Sequence, residues 1–387
     1  MASIHSVLSP DLILEILDCL AIPFTFHQRS CDLPVLAACS TVCKAWSTHA
    51  QRLLFRRVIL PHNIYREPHL RATSRNSLPS FLAAIDPVTE RGRWLAESVI
   101  SLTVRHTGRA PTSDPTALAT ALLRTPNLRH LDVTTISCDF DSDSLARLRE
   151  SGPRITSLCI LQDFSPFEAQ HTRIMHQLVG AFPTIRLLEI TADLTSALPP
   201  FDPPLRLALA AVKFNTAFVP DIAPCLASLV DPDSEAHLEF LWHKSKTRPS
   251  ALEEVLSAHG ANLRALSLKT VDAGQATELA HCTQLERFEL GRFPDGATLA
   301  LIPRSVTALV IAGAPAPGEL DGLVEQLASF PALKTLTWSS CQDPSLFRSL
   351  VTICTERGIF LRAAAAAAEL TDDNAVEMEL RRRYIRI

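Results

Sequence analysis

Leu128-Arg129-His130-Leu131-Asp132-Val133 is one copy of a six-residue pattern that recurs along most of the chain. An aliphatic or aromatic residue occupies the first, fourth and sixth positions of each copy. Where the register is clear, successive copies start about 21 to 30 residues apart, which is the spacing of leucine-rich repeats. The other copies are 99–104, 155–160, 185–190, 263–268, 285–290, 306–311 and 333–338.

Several copies follow the same lead-in, an apolar segment and then turn residues such as Thr125-Pro126-Asn127. Turn residues of this kind end a helix and direct the chain into a strand. Each unit therefore predicts a helix, a turn and a short strand, and such a unit buries its apolar face only in a stack. The predicted fold class is α/β: an irregular leucine-rich-repeat solenoid with parallel strands on its concave face and helices on its convex face.

Between residues 191 and 262 the pattern is weaker, and Leu207-x-Leu209 and Leu238-x-Phe240 are the expected strands. A Rossmann-type sheet is the rival fold, since it also alternates helices and strands. It is disfavoured because no Gly-x-Gly-x-x-Gly follows any expected strand, and because the spacing is short and regular.

Strand geometry nominates a binding surface, because alternate side chains of a strand face opposite sides of the sheet. The residues between the apolar ones are mixed in charge, with no basic stripe and no aromatic ladder, which suits a protein substrate better than a nucleic acid. The alternative is that most of them are solvated and that only a few anchor any partner. The candidate substrate-binding residues are Arg105, His130, Asp132, Glu189, Lys269, Arg287, Glu289 and Thr335.

Residues 8–60 predict three short helices. The first begins near Pro10, with Ser9 or Asp11 as its cap, and its apolar residues recur at helical spacing. Asp32 is expected to cap the second helix, and Thr41 is expected to start the third. Three helices in about fifty residues make a marginal fold, so we expect them to dock on a partner or on the following domain.

Three motif elements follow one another in these helices: Leu8-Ser9-Pro10-Asp11-Leu12, then Ile16-Leu17, then Val42-Cys43-Lys44-Ala45-Trp46. The segment resembles the F-box family, whose pattern opens with Leu-Pro-x-Glu/Asp-Leu and ends with Val-Cys-Lys/Arg-x-Trp. Ser9 stands where the family often has proline, and the loop at 22–33 is longer than usual. The resemblance covers about 55 of the 387 residues.

The resemblance implies docking to the Skp-type adaptor of a cullin-based (SCF-type) ubiquitin ligase, with the repeats binding a protein substrate. The alternative is a three-helix cap on a non-catalytic repeat scaffold that has no ligase role. By this resemblance, the residues that belong to the shared apolar core or to the adaptor interface are Leu8, Pro10, Ile13, Ile16, Leu17, Val42 and Trp46.

Composition narrows the remaining possibilities. The formal net charge of −4 argues against bulk nucleic-acid binding, which usually leaves a basic footprint. No apolar run is long enough to predict a transmembrane helix, and the N-terminus lacks the basic and apolar regions of a secretory signal. The 10 cysteines are therefore expected to be reduced thiols in a cytoplasmic and/or nuclear protein.

The sequence carries no recognisable catalytic motif. It contains neither a Gly-x-Ser-x-Gly elbow nor a phosphate loop, and its histidine pairs do not match His-Glu-x-x-His. We expect no enzyme activity, no metal and no cofactor, although an unrecognised active site on the repeats is an open alternative.

The chain is expected to divide into four parts. Residues 1–60 form the F-box-like module, and residues 61–97 form a transition with a short helix from Ser77 to Ile85. Residues 98–362 form the solenoid. Residues 363–387 form a terminal capping helix or tail, acidic at its start and basic at its end, as the helix dipole prefers.

Overall fold

The computed structural model describes residues 9–21, 33–62, 77–106, 115–135, 140–162, 168–192, 200–216, 223–231, 237–243, 252–271, 277–313, 319–338, 344–363 and 375–385.

The chain is an α/β protein, and its strands follow sequence order in a parallel sheet. Twelve strands lie in the described residues, which fits a solenoid-like repeat fold. They are β1 (Arg57–His62), β2 (Ser101–His106), β3 (His130–Thr135), β4 (Ser157–Gln162), β5 (Leu187–Ala192), β6 (Ala211–Thr216), β7 (Phe240–His243), β8 (Ala265–Leu268), β9 (Arg287–Leu290), β10 (Ala308–Ile311), β11 (Thr335–Trp338) and β12 (Phe360–Ala363).

Helices alternate with these strands along the chain, as the repeat pattern predicts. The described residues hold α1 (Pro10–Ala21), α2 (Leu33–Cys39), α3 (Lys44–Arg56), α4 (Leu78–Ala84), α5 (Glu90–Ser98), α6 (Pro115–Arg124), α7 (Ser142–Ser151), α8 (Glu168–Ala181), α9 (Ala223–Leu229), α10 (Leu252–His259), α11 (Gly296–Leu301), α12 (Glu319–Leu327), α13 (Pro344–Glu356) and α14 (Ala375–Ile385). Short 3₁₀ turns cover Gly260–Asn262 and Thr277–His281.

Two compact units make up the chain. The first comprises Met1–Leu158, Arg173–Phe182 and Ile387, and the second comprises Cys159–Thr172 and Pro183–Arg386.

In the first unit, α1, α2 and α3 surround a small apolar core. Five buried residues form it, and Cys39, Trp46 and Leu54 pack against it. Ser9 starts α1, because its hydroxyl accepts a hydrogen bond from the backbone N–H of Leu12 at 3.2 Å. The five buried residues are Ile13, Leu17, Leu36, Ala50 and Leu53.

The third helix begins later than the sequence predicts, at Lys44 rather than Thr41. The backbone N–H and the hydroxyl of Thr41 both donate to the carbonyl of Ala38, at 3.0 and 2.7 Å. Thr41 is therefore held in the turn that ends α2, and Cys43 becomes the residue that precedes α3.

Helix α3 joins the three helices to the sheet without a linker. It ends at Arg56, and β1 begins at Arg57 and pairs in parallel with β2. Arg91 of α5 donates to Gln51 of α3 at 3.3 Å. The three helices are therefore connected directly to the first strands of this unit, as the marginal size of their core led us to expect.

The strand prediction is confirmed wherever the six-residue pattern is clear, and is wrong in register at β6. That strand begins at Ala211, and the buried residues Leu209, Val212 and Phe214 show that the pattern copy is 209–214 rather than one centred on Leu207-x-Leu209. At β7 the pattern copy is 238–243. The sequence predicts only part of this copy, because a histidine, His243, occupies the sixth position and is 4% exposed.

A repeated turn leads into the strands. At several places, a residue shortly after a helical segment donates its N–H to the carbonyl three residues earlier, and its own carbonyl accepts from the residue three positions later. The two bonds close a compact corner that aims the next residue into the sheet. This arrangement occurs at Thr125, Cys282 and Phe330.

A second repeated feature fixes the stacking of the strands. The residue immediately before a strand, here called the pre-strand residue, accepts two backbone N–H groups from the next repeat. The carbonyl of Glu239 accepts from Arg264 and Ala265, and that of Arg264 accepts from Glu286 and Arg287. Successive pre-strand residues are therefore neighbours, separated by the ordinary strand spacing of about 4.8 Å.

We expect Leu17→Ala to destabilise the three-helix core by about 2–5 kcal/mol, because Leu17 is 0% exposed and its loss leaves a cavity. Hydrogen exchange of the α1–α3 amides measures this local opening free energy. The matched control is Leu14→Ala on the same helix, where the side chain is exposed and the change is expected to stay within about 0.5 kcal/mol. Equal effects of the two substitutions would contradict the assigned core.

Candidate functional site

The residues predicted to bind an adaptor fall into two groups. Ile13 and Leu17 are buried in the three-helix core, and Trp46 packs against it, so these three hold the module together. Ile16 and Val42 are exposed, at 37% and 59%. Pro10 is the first residue of α1, and Leu8 lies outside the described residues.

Exposed large apolar side chains are concentrated on this module. They form what we call the exposed apolar set: Leu12, Leu14 and Ile16 of α1, Val35 of α2, and Val42 before α3. Leu12 and Ile16 lie one turn apart on the same side of α1, whereas Leu14 lies on another side. Neighbouring exposed apolar side chains of this kind are typical of a protein-binding surface. None of them is in the core that the helices need for folding, so the set is available to a partner.

Two predicted substrate residues of the first unit, His130 and Asp132, are buried. His130 and Asp132 alternate with the apolar residues of β3, and both are less than a tenth exposed. The Nδ1 atom of His130 lies 2.9 Å from the hydroxyl of Ser157 in β4. Arg105 lies in β2. The predicted alternation along β3 is present, and it places His130 and Asp132 among buried side chains. That either residue binds a substrate stays a prediction.

In the second unit the predicted substrate residues are also less accessible than expected. Glu289 in β9 is 4% exposed. Glu189, Lys269, Arg287 and Thr335 are half-buried. That any of them binds a substrate stays a prediction.

Three pre-strand residues of the second unit form a ladder of alternating charge, which we call the charge ladder: Glu239, Arg264 and Glu286. The guanidinium of Arg264 donates to Glu286 at 2.7 Å and to Glu239 at 3.2 Å. The stacking of the repeats brings these side chains together, because the backbone carbonyls of Glu239 and Arg264 each accept N–H groups from the next repeat. The hydrogen bonds of the guanidinium raise the pKa of Arg264, with the bond to Glu286 as the largest cause.

Helix α14 docks on this ladder through its charged residues. Arg383 donates to Glu239 at 2.7 Å, and Glu379 accepts from Arg264 at 3.0 Å. Glu379 and Arg383 also pair with each other one helical turn apart, at 2.7 Å. The helix thus inserts one acid and one base into the alternating charges of the sheet.

The same helix reaches β5. Arg381 lies 3.3 Å from a carboxylate oxygen of Glu189, and the other oxygen of Glu189 lies 3.2 Å from the ammonium of Lys213 in β6. The ammonium of Lys213 lies 3.8 Å above the ring of Trp242 in β7. Because Lys213 and Trp242 are register partners in adjacent strands, the sheet itself brings this cation over the ring.

Apolar residues complete the docking of α14. Val376, Leu380 and Ile385 are each less than a tenth exposed, whereas Arg382 is exposed. A terminal helix was predicted, and it is present. It was expected to cap the end of the repeats, whereas its ion pairs join it to β5 and to the residues before β7 and β8.

The described residues offer little for metal or membrane chemistry. No group of three or more histidine, cysteine or acidic residues among them has a geometry that would hold a metal ion. None of the helices placed by the structure combines the length and the apolar character needed to cross a bilayer.

No protein-family model matches the chain, and no curated sequence matches it.

Sequence reasoning missed the charge ladder as a unit. The predicted substrate residues lie within or just after the strands, whereas Arg264 and Glu286 each lie one residue before a strand. A usable signal was present: in three successive copies of the pattern, the second residue is charged and alternates in sign, Glu239, Arg264 and Glu286. Parallel stacking places equal positions of successive repeats side by side.

We expect Glu379 to titrate below 4.5, because hydrogen bonds from Arg264 first and Arg383 second lower its pKa. A lowered pKa means that the charged form favours the docked helix above pH 4.5, and that this contribution is lost as the pH falls through the lowered value. Carboxyl ¹³C NMR on the glutamate-labelled protein measures the midpoint.

Arg264→Gln is the matching variant, and it should move the Glu379 midpoint back towards 4.5. Arg382→Gln is the control, since Arg382 is exposed on the same helix and should leave the midpoint unchanged. An unmoved midpoint in the Arg264 variant would contradict the assigned contact.

Proposed function

We propose that this chain is a substrate-recognition subunit of a cullin-based ubiquitin ligase. In this proposal α1–α3 are an F-box module that docks on the Skp-type adaptor, and the repeats are of the leucine-rich type and bind a protein substrate. The protein makes and breaks no bonds itself. It acts by position, because holding a substrate beside the transfer machinery raises its effective concentration there.

The exposed apolar set carries the proposal. The segment that resembles the F-box family is also the segment that leaves Leu12, Ile16 and Val42 exposed. A cap that served only to close the repeats would turn its large apolar side chains inward, since burial of each one stabilises by about 1.5–3 kcal/mol. Their exposure favours a protein partner at this surface.

The division of the motif residues supports the same proposal. Leu17 and Ile13 of α1 face the core, while Leu12 and Ile16, each one residue earlier, do not. One helix therefore has an inner apolar side for folding and an adjacent apolar side that remains available. An amphipathic helix with a single buried stripe would need only the inner side.

We expect Leu12→Glu/Ile16→Glu to weaken binding to a purified Skp-type adaptor by at least about tenfold, which corresponds to roughly 1.4 kcal/mol. The charged side chains would have to be desolvated at an apolar contact, while the fold keeps its core. Isothermal titration calorimetry with the full chain measures the affinity.

The matched control is Val88→Glu, at a residue that is 83% exposed in the turn before α5 and outside the exposed apolar set. It should bind the adaptor like the wild type. Failure of the wild-type chain to bind the adaptor, with the protein shown to be folded by circular dichroism, would reject the F-box assignment and leave the repeat scaffold without a ligase role.

A second experiment tests the ligase role rather than the contact. With adaptor, cullin, E1 and E2 present, affinity-captured binding partners of the chain should become ubiquitinated. The Leu12→Glu/Ile16→Glu variant should capture the same partners without supporting their modification. Equal ubiquitination of the partners with wild type and variant would show that ubiquitin transfer does not depend on the proposed adaptor contact of this chain.

A further inference from the structure

Helix α14 meets the sheet through ion pairs and through the buried apolar residues Val376, Leu380 and Ile385. It is an 11-residue helix, and isolated helices of that length are marginal in water, so its helical state is coupled to docking. The Glu379 and Arg383 side chains that pair with the charge ladder are 47% and 43% exposed. Ion pairs open to water are individually weak and are screened by salt.

The charged side chains beneath α14 also pair with one another. Glu239 is held by Arg264 at 3.2 Å, and Arg264 is held by Glu286 at 2.7 Å. Glu189 is held by Lys213, whose ammonium is itself fixed over the ring of Trp242. All these side chains lie on paired strands or immediately before them, so a ligand would meet a preorganised set of charges.

The charges of this surface define the ligand that fits it. Three carboxylates, Glu189, Glu239 and Glu286, face two cations, Lys213 and Arg264, which leaves an excess of negative charge. Helix α14 brings an excess of positive charge to this surface, in the order Glu379-Leu380-Arg381-Arg382-Arg383. Its acid meets Arg264, and its first and third arginines meet Glu189 and Glu239.

We propose that Glu189, Glu239 and Arg264 form a docking surface for a helical segment of a protein partner with the order Glu-Leu-Arg-x-Arg. Helix α14 occupies this surface in the free chain. The proposal rests on the proposed function, because the partner is the protein that the repeats select. It deepens that function by naming the chemistry of the recognised segment: an acid, a leucine and two arginines on one helix.

The closing experiment uses a synthetic peptide of residues 375–385 with a fluorescent label as the probe. The full chain is prepared as wild type and as Arg381→Glu/Arg383→Glu, which replaces attraction by repulsion at both carboxylates and frees the surface. Fluorescence anisotropy should report that the freed variant binds the peptide at least tenfold more tightly than wild type does. The matched control, Arg382→Glu, changes the exposed arginine between the two and should behave as wild type.

Reversal of the surface charges identifies where the peptide binds. In a chain that keeps Arg381 and Arg383, Glu189→Arg/Glu239→Arg repels α14 and opens a surface of reversed charge. This reversed surface should bind the labelled peptide at least tenfold more weakly than the freed variant does. A peptide that itself carries glutamate at positions 381 and 383 should bind this reversed surface and not the freed one. Because the reversed surface must bind a peptide, loss of binding through unfolding is recognised at once.

Two results would overturn the proposal. One is equal affinity of the peptide for wild type and the freed variant, or no binding to either, which would make α14 a permanent part of the fold. The other is binding that survives reversal of Glu189 and Glu239. The assay contains no adaptor and no ubiquitin, so its outcome is independent of whether the F-box assignment holds.

Discussion

The double hydrogen bond at each pre-strand carbonyl is the constraint on which the rest of the second unit depends. Because each of these carbonyls accepts two N–H groups from the next repeat, equal positions of successive repeats lie side by side whatever the intervening helix or loop does. Insertions of different length between strands are tolerated for this reason. The charge ladder is a direct result: three residues separated in sequence by more than twenty positions become neighbours because they share one place in the repeat.

The sequence predicts a binding surface on the side of the sheet where polar side chains alternate with apolar ones, but several of these polar side chains are buried. Polar residues such as Ser267 and Thr337 lie between apolar neighbours in their strands, and yet they are as buried as a core. Polar side chains in such a place have to find hydrogen bonds inside the protein. The pair formed by His130 and Ser157 does so between adjacent strands of the first unit. Glu189 and Glu239 are half-buried, and they pair with Arg381 and Arg383 of α14.

Sequence reasoning predicted the elements and most of their order, because the apolar residues of a parallel strand recur at fixed positions and a single clear copy sets the register. It failed where one residue broke the pattern. His243 hides the copy at β7, and the early pair Leu207 and Leu209 drew the prediction away from β6. It also failed for α14, because the sequence of a helix states which side is apolar and does not state which strands that side will meet. The Arg383–Glu239 and Arg381–Glu189 contacts join residues more than a hundred positions apart.

The absence of a linker between α3 and β1 has a mechanical consequence. A flexible tether would let a partner bound to the helices sample many orientations, and its effective concentration at any one point would be low. Here the last turn of a packed helix passes into a hydrogen-bonded strand between Arg56 and Arg57. A partner bound to the three helices would therefore have a fixed orientation relative to the first strands of the same unit. A glycine-rich insertion between Arg56 and Arg57 would make this rigid connection flexible.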